Sequence, residues 1–238
     1  MKKYDLHVHT NYSPCSTNKP DKILKQAKKK GLSGIAVTDH NTMRGAIELK
    51  KLNKNKNFDI IIGEEIETEI GHILAYYLKK EIKPGRFNKI IKEIKKQKAI
   101  GVLAHPYNYD HPIKQMSGFF GKMIFGLEKN RKSVQITPKN IKLLKKLDAI
   151  EGFNSRCMLQ KENLDAHKLA KKLGLAAIAG SDSHFPNEIG NAYVEFSDNL
   201  SLREAIKERK LKIKGRHTPI LSSKIKIALN LARRFISK

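Results

Sequence analysis

The sequence predicts a single α/β domain built on a sheet in which parallel strands alternate with helices. Short β-branched or apolar runs alternate with lysine-rich runs of helical apolar spacing, the pattern of repeated βα units. The 238 residues suffice for one domain with a large core, and a barrel is among the folds that length allows. No repeat, glycine-serine linker or low-complexity tract divides the chain.

Strands are expected near Tyr4 to His9, Gly34 to Thr38, Ile60 to Ile66, Ile73 to Tyr77, Gly101 to Ala104, Ala149 to Phe153, Ala176 to Ala179 and Ala192 to Phe196. The first helix starts near Pro20-Asp21, shows one apolar face through Ile23, Leu24 and Ala27, and stops at Gly31. Further helices fit Thr42 to Lys51, Phe87 to Lys98, Pro138 to Lys146, Lys161 to Leu173 and Ser201 to Arg209. These elements make a barrel domain of residues 1–215. Within it, 107–133 carries Gly118, Gly121 and Gly126 among Phe119, Phe120, Met123 and Phe125, a long loop or lid. Residues 216–238 place Ile225, Ala228, Leu229, Ala232 and Ile236 at helical spacing between basic residues. That pattern predicts a basic amphipathic helix, packed on the barrel or a partner, or lying on a membrane surface.

Composition sets limits on function. With 39% hydrophobic and 30% charged residues and no apolar run of membrane-spanning length, the chain reads as a globular protein without a membrane span. The start Met1-Lys2-Lys3-Tyr4-Asp5 lacks an apolar signal core, which points to the cytoplasm. Cys15 and Cys157 are too few for a disulfide framework or an all-cysteine zinc site. A net charge of +25 favours polyanions: nucleic acid, anionic membrane or phosphorylated small molecules. Lysine supplies 39 of the 48 basic residues, scattered over many segments. Charge alone therefore selects none of these partners.

The ionisable residues are more specific. His7 and His9 are two apart on the first strand, so both face one side. Asp39-His40 follows the second strand, Glu64-Glu65 ends the third, His72 begins the next, His105-Pro106 ends the fifth, and Asp182-Ser183-His184 follows Ala176 to Gly180. In a parallel barrel the strand ends converge on one rim, so residues remote in sequence meet there. Imidazoles and carboxylates are ligands for transition metals, and a carboxylate among histidines can bridge two cations. Metals at short separation hold a phosphate oxygen and an activated hydroxide, which is hydrolytic chemistry. Amide hydrolysis stays open at this point. His111, His167 and His217 fall in a loop, a helix and a basic tail, and read as surface residues.

Asp5-Leu6-His7-Val8-His9-Thr10, Val37-Thr38-Asp39-His40-Asn41, Gly63-Glu64-Glu65-Ile66, Ala104-His105-Pro106 and Gly180-Ser181-Asp182-Ser183-His184 resemble, in order, the motifs of the PHP (polymerase and histidinol phosphatase) superfamily. The resemblance spans residues 5 to 184. It implies a distorted seven-stranded, TIM-like β/α barrel with two or three divalent metal ions, zinc, manganese or iron. By the same resemblance His7, His9, Glu65 and Asp182 hold one metal, Glu65 bridges to a second held by His72 and His105, and His40 and His184 hold a third. Many relatives have an aspartate or histidine near the segment Tyr12-Ser13-Pro14-Cys15. Cys15 is the ligand available there, or a small buried residue.

Asp5 and Asp39 are expected to fix imidazole orientations, and Glu64 should face the other side of its strand. The segment Glu151-Gly152-Phe153-Asn154-Ser155-Arg156 also resembles the family, with Arg156 and Asn154 expected to bind substrate phosphate. Glu65, Asp182, His184 and Arg156 are the catalytic residues the resemblance implies. The expected function is hydrolysis of a phosphomonoester or phosphodiester of a nucleotide or oligonucleotide end, through a metal-activated hydroxide. The alternatives are a histidinol-phosphate-type small-molecule phosphatase and a non-catalytic RNA-binding barrel subunit.

Overall fold

A computed structural model describes residues 1–107, 134–135 and 137–219. The expected lid (107–133), apart from Tyr107, and the C-terminal helix (216–238), apart from its first four residues, lie outside the described residues. Nine strands form one sheet: β1 (Lys2–Val8), β2 (Gly34–Val37), β3 (Asp59–Thr68), β4 (Gly71–Tyr76), β5 (Ile100–Leu103), β6 (Ala149–Asn154), β7 (Ala176–Gly180), β8 (Ala192–Phe196) and β9 (Lys212–Gly215). Their order is β7-β6-β5-β4-β3-β2-β1-β8-β9. A parallel bridge between Val8 and Ser183, with His9 N donating to the Ser183 carbonyl at 3.1 Å, brings the chain after β7 against the end of β1. The strands β1 to β7 thereby close into a barrel. Six helices accompany them among the described residues: α1 (Pro20–Lys29), α2 (Arg44–Leu52), α3 (Phe87–Lys96), α4 (Pro138–Leu144), α5 (Gln160–Leu173) and α6 (Leu202–Lys207).

Leu6, Ala36, Ile61, Leu74, Val102 and Ile178, from different strands, share one apolar cluster inside the barrel. A second cluster packs α3, α4 and α5 on the outer face, and a third packs α1 and α2. On α3, Phe87, Ile90, Ile91 and Ile94 are buried at spacings of one helical face, each stabilising by roughly 1.5–3 kcal/mol.

Two expectations need correction. The sheet is not a run of parallel strands: β4 is antiparallel to β3 and to β5. Thr68 pairs with Gly71 across a two-residue turn, and so short a connection can join only antiparallel strands. Gly71 has φ 135°, open to glycine, and its carbonyl accepts from Thr68 Oγ1 at 2.6 Å. Seven strands, β1 to β7, make the barrel, and β8 and β9 enlarge the sheet to nine as an antiparallel extension paired to the first half of β1. Strand β9 was not expected; its Lys-Ile-Lys-Gly sequence is short and mostly exposed, leaving little apolar alternation to read.

Candidate metal centre

Strand direction places the site. The C-terminal ends of β1, β2, β3, β5, β6 and β7 share one rim, and the reversed β4 brings its first residues, including His72, to that same rim. On β1, Asp5 pairs with Ile35 and Val8 with Val37, so three steps oppose two and a bulge lies between. Leu6 packs in the barrel interior while Val8 packs against the outer helices. The bulge re-aims the strand, and His7 and His9 both turn into the barrel, fully buried.

Glu65 is the hub. Its Oε1 lies 2.8 Å from His72 Nδ1 and 3.0 Å from His105 Nε2. Its Oε2 lies 3.0 Å from His40 Nδ1, 3.4 Å from His9 Nε2 and 3.5 Å from His7 Nε2. Asp182 Oδ1 approaches the same pair, at 3.3 Å from His9 Nε2 and 3.7 Å from His7 Nε2. Four overlapping groups, each with ligand atoms within 4.8 Å of one another, result: His7/His9/Glu65, Glu65/His72/His105, His7/His105/Asp182 and His9/His40/His184. Cys15 Sγ stands 3.1 Å from His184 Nε2.

Hydrogen bonds fix which nitrogens are free to bind a cation. His7 Nδ1 lies 2.9 Å from Glu151 Oε1, a carboxylate that accepts, so the neutral ring carries its proton there. Ser13 Oγ donates to Asp39 Oδ1 at 2.6 Å, so it accepts from His9 Nδ1 at 3.1 Å. Both Nε2 atoms then carry lone pairs, and they face each other at 3.1 Å beside two carboxylate oxygens. While both rings are neutral, their two Nε2 atoms and the carboxylate oxygens of Glu65 and Asp182 converge there as acceptors. A divalent cation satisfies such an arrangement, and the donor set suits zinc, manganese or iron.

Without a cation, protons on the rings balance the buried carboxylates, and a metal ion would take the place of such a proton at His7 Nε2. Burial would raise the Glu65 pKa, but the His40, His72 and His7 charges hold it well below the usual carboxylate range. Burial likewise works against Asp182, and His7 and His9 pull it well down. Burial opposes charge on His7, yet Asp182, Glu151 and Glu65 raise its pKa well above the ordinary value. His184 is pushed well down by burial, Arg156 and His9, and so is held as the neutral imidazole that ligates metal.

Two site residues sit at positive φ, His105 at 24° and Asp182 at 52°, a backbone strain of about 1–3 kcal/mol each. Glu151 Oε2 helps hold the first by accepting from His105 N at 2.8 Å. Gly180 is required by close approach: a Cβ there would overlap His7 Cβ and lie 2.8 Å from His7 N.

Several expected residues have contacts of another kind. Asp5 accepts from the backbone of His7, Ser181 and Gly190 and so clamps the strand ends, not an imidazole. Asp39 acts on His9 through Ser13 and otherwise holds Thr10, whose backbone N–H and hydroxyl donate to it. Both amide hydrogens of Asn154 are engaged, to Glu151 Oε2 at 3.0 Å and Asp182 Oδ2 at 3.2 Å, so this side chain orients carboxylates. Arg156 is buried and pairs with Glu188 Oε2 at 3.2 Å; the same carboxylate oxygen accepts from His184 N at 2.8 Å. Glu64 faces outward and accepts from Ile82 N at 3.2 Å. Reading the sequence missed Glu151, Ser13 and Glu188. Glu151 and Ser13 stand within segments already singled out, but their roles depend on which ring they face.

The comparisons fit this geometry. The PHP domain family model matches residues 5–173, and a PHP-associated family model matches residues 160–211. Uncharacterized protein MJ0417 of Methanocaldococcus jannaschii is 33% identical over 220 residues, covering 88% of this chain and 80% of its own. By fold, the chain is similar to a two-domain protein from Bacteroides vulgatus containing a predicted PHP-like metal-dependent phosphoesterase, with TM-score 0.68, 19% identity, and coverage of 94% of this chain and 69% of that one. It is also similar to the lesion-specific endonuclease PfuEndoQ from Pyrococcus furiosus, with TM-score 0.55, 18% identity, and coverage of 89% and 57%. With the family model covering most of the barrel and the ordered histidine motifs gathered at one rim, this chain belongs to the PHP domain family.

Proposed function

We propose that the chain is a metal-dependent phosphoesterase acting on a phosphomonoester or phosphodiester of a nucleotide or an oligonucleotide end. The observation that carries this reading is the convergence of the His7 and His9 lone pairs on Glu65 and Asp182, an all-acceptor pocket suited to divalent cations. His7, His9, Glu65 and Asp182 would hold one ion, Glu65, His72 and His105 a second, and His40 and His184 a third. When bound, the ions supply Lewis-acid polarisation of the phosphoryl group and lower the pKa of water.

The chain's own residues prepare the site. Glu151 and Ser13 fix the tautomers of His7 and His9, and Asn154 holds the Glu151 and Asp182 carboxylates in place. Arg156, beside His184, is the cation assigned to the substrate phosphate; the Glu188 pair sets its position before substrate arrives. The net charge of +25 and the fold shared with an endonuclease support nucleotide substrates over histidinol phosphate. A non-catalytic RNA-binding role would leave the acceptor pocket without a purpose.

The test is a panel of histidinol phosphate, nucleoside monophosphates, 3′,5′-bisphosphates and 5′-phosphorylated oligonucleotides with Mn²⁺ or Zn²⁺. Turnover of a nucleotide or oligonucleotide is expected. Protein that binds RNA tightly yet takes up no metal under metal-replete conditions would sink the enzyme reading. Arg156→Ala should lower kcat/KM by on the order of 10²-fold while metal content stays intact. Loss of metal instead would assign Arg156 to holding the 183–188 loop.

A further inference from the structure

A cavity of about 550 Å³ opens at the end of the barrel away from the metal centre. Ala99 and Ile100 at the start of β5, Asp148 just before β6, and Leu175 and Ala176 at the start of β7 line it from the strand side. These three strands run parallel and carry their site residues at the opposite ends, so roughly 15 Å of strand separates the two places. Helix α6 and the turn after it complete the lining with Ile206, Arg203, Lys207 and Arg209.

Neutral groups hold two of these cations. The Arg203 guanidinium lies over the Tyr77 ring, 4.1 Å from its centroid, and Arg209 Nη1 donates to the Gly174 carbonyl at 2.9 Å. Neither contact cancels charge. The acidic neighbours in sequence are engaged elsewhere: Glu204 caps α6 through Ser201, and Glu208 pairs with Lys210 at 2.7 Å. Asp148 is the carboxylate in the lining, and it accepts from Gly101 N at 2.8 Å. Three cations thus face one carboxylate beside the apolar side chains of Ile100, Leu175 and Ile206.

We propose that this cavity is a second ligand site, which takes a nucleoside phosphate with its phosphate at Arg203, Lys207 and Arg209 and its base against the apolar wall. Small-molecule sites span roughly 300–1,000 Å³, and a mononucleotide fits within that range. Guanidinium groups bind phosphate oxygens in pairs, and two of them are already positioned here. A free phosphate would leave the apolar wall wet. The site does not depend on what the metal centre hydrolyses, and a ligand held at this end does not compete with substrate at the other.

Calorimetric titration of the metal-free full chain with ADP tests this apart from turnover. One equivalent should bind, with inorganic phosphate and adenosine each weaker by roughly tenfold or more. The double change Arg203→Glu/Lys207→Glu should weaken ADP binding by roughly tenfold or more, and both side chains are exposed, so circular dichroism should stay unchanged. Lys207→Glu alone, which keeps the Tyr77 contact, should weaken it in the same direction by less. Arg156→Ala, at the metal end, should bind ADP as the wild type does. Binding that the charge reversal leaves unaltered, or that only Arg156→Ala weakens, would overturn the proposal and leave the metal centre standing. Inorganic phosphate bound as tightly as ADP would overturn the nucleoside assignment. An oligonucleotide that binds through Arg203 and Lys207 where ADP does not would overturn it in favour of nucleic acid.

Discussion

Glu64 and Glu65 are neighbours on one strand, and the two faces of β3 treat them in opposite ways. Glu65 turns into the barrel, where five histidine rings approach it within 3.5 Å and hold its carboxyl well below the usual range. Glu64 turns outward, its carboxylate accepts from Ile82 N, and burial pushes its pKa up to about 8. Both side chains are buried, so burial alone does not decide ionisation. The charges within reach decide it, and the strand's alternation assigns them.

The two faces can be set against each other by the same substitution made one residue apart. Glu65→Gln removes the oxygen pair shared by every ring of the inner cluster. Activity should fall on the order of 10³-fold or more, and bound metal measured on purified protein should fall with it. Metal retained at wild-type stoichiometry would show that Glu65 is not the bridge.

A smaller effect belongs to Glu151, which touches the cluster only through other groups. It accepts from His7 Nδ1 and His105 N, and also from Asn154, so a glutamine there would set a donor against donors. Glu151→Gln should weaken metal binding by about 10–100-fold in calorimetric titration, with the fold intact by circular dichroism. Unchanged affinity would reduce Glu151 to a packing residue.

How much of this was legible in the sequence differs by residue. The strand ends that carry His7, His9, His40, Glu65, His105 and Asp182 could be read because β-branched runs and turn residues are local signals. His72 was harder to place, since a residue beginning a parallel strand belongs at the far rim; only the hairpin at Thr68 to Gly71 reverses β4 and returns it. The bulge between Asp5 and Val8 could not be read, because it is a property of the pairing with β2. For the same reason the carboxylates expected to orient imidazoles are Asp5 and Asp39, whereas the one that sets the His7 tautomer is Glu151, 144 positions from that ring. The Arg156–Glu188 pair likewise depends on two loops meeting over the rim.

The smallest effect expected is on Glu64, and it reads out in stability. Its pKa rises from 4.5 to about 8 on folding, so between those values the native chain holds a proton that the unfolded chain has released. The contribution of that proton to stability is fully present below about pH 4.5 and is lost as pH rises through about 8. Glu64→Gln keeps an acceptor for Ile82 N and removes the titration. Melting temperatures of the two proteins should therefore diverge with pH: close together at pH 4.5, with the wild type falling below the variant by pH 8. The metal ligands titrate in both proteins, so their effect cancels in the difference. A constant difference across that range would mean that Glu64 is ionised in its outward pocket, and that the two faces of β3 differ less than their contacts indicate.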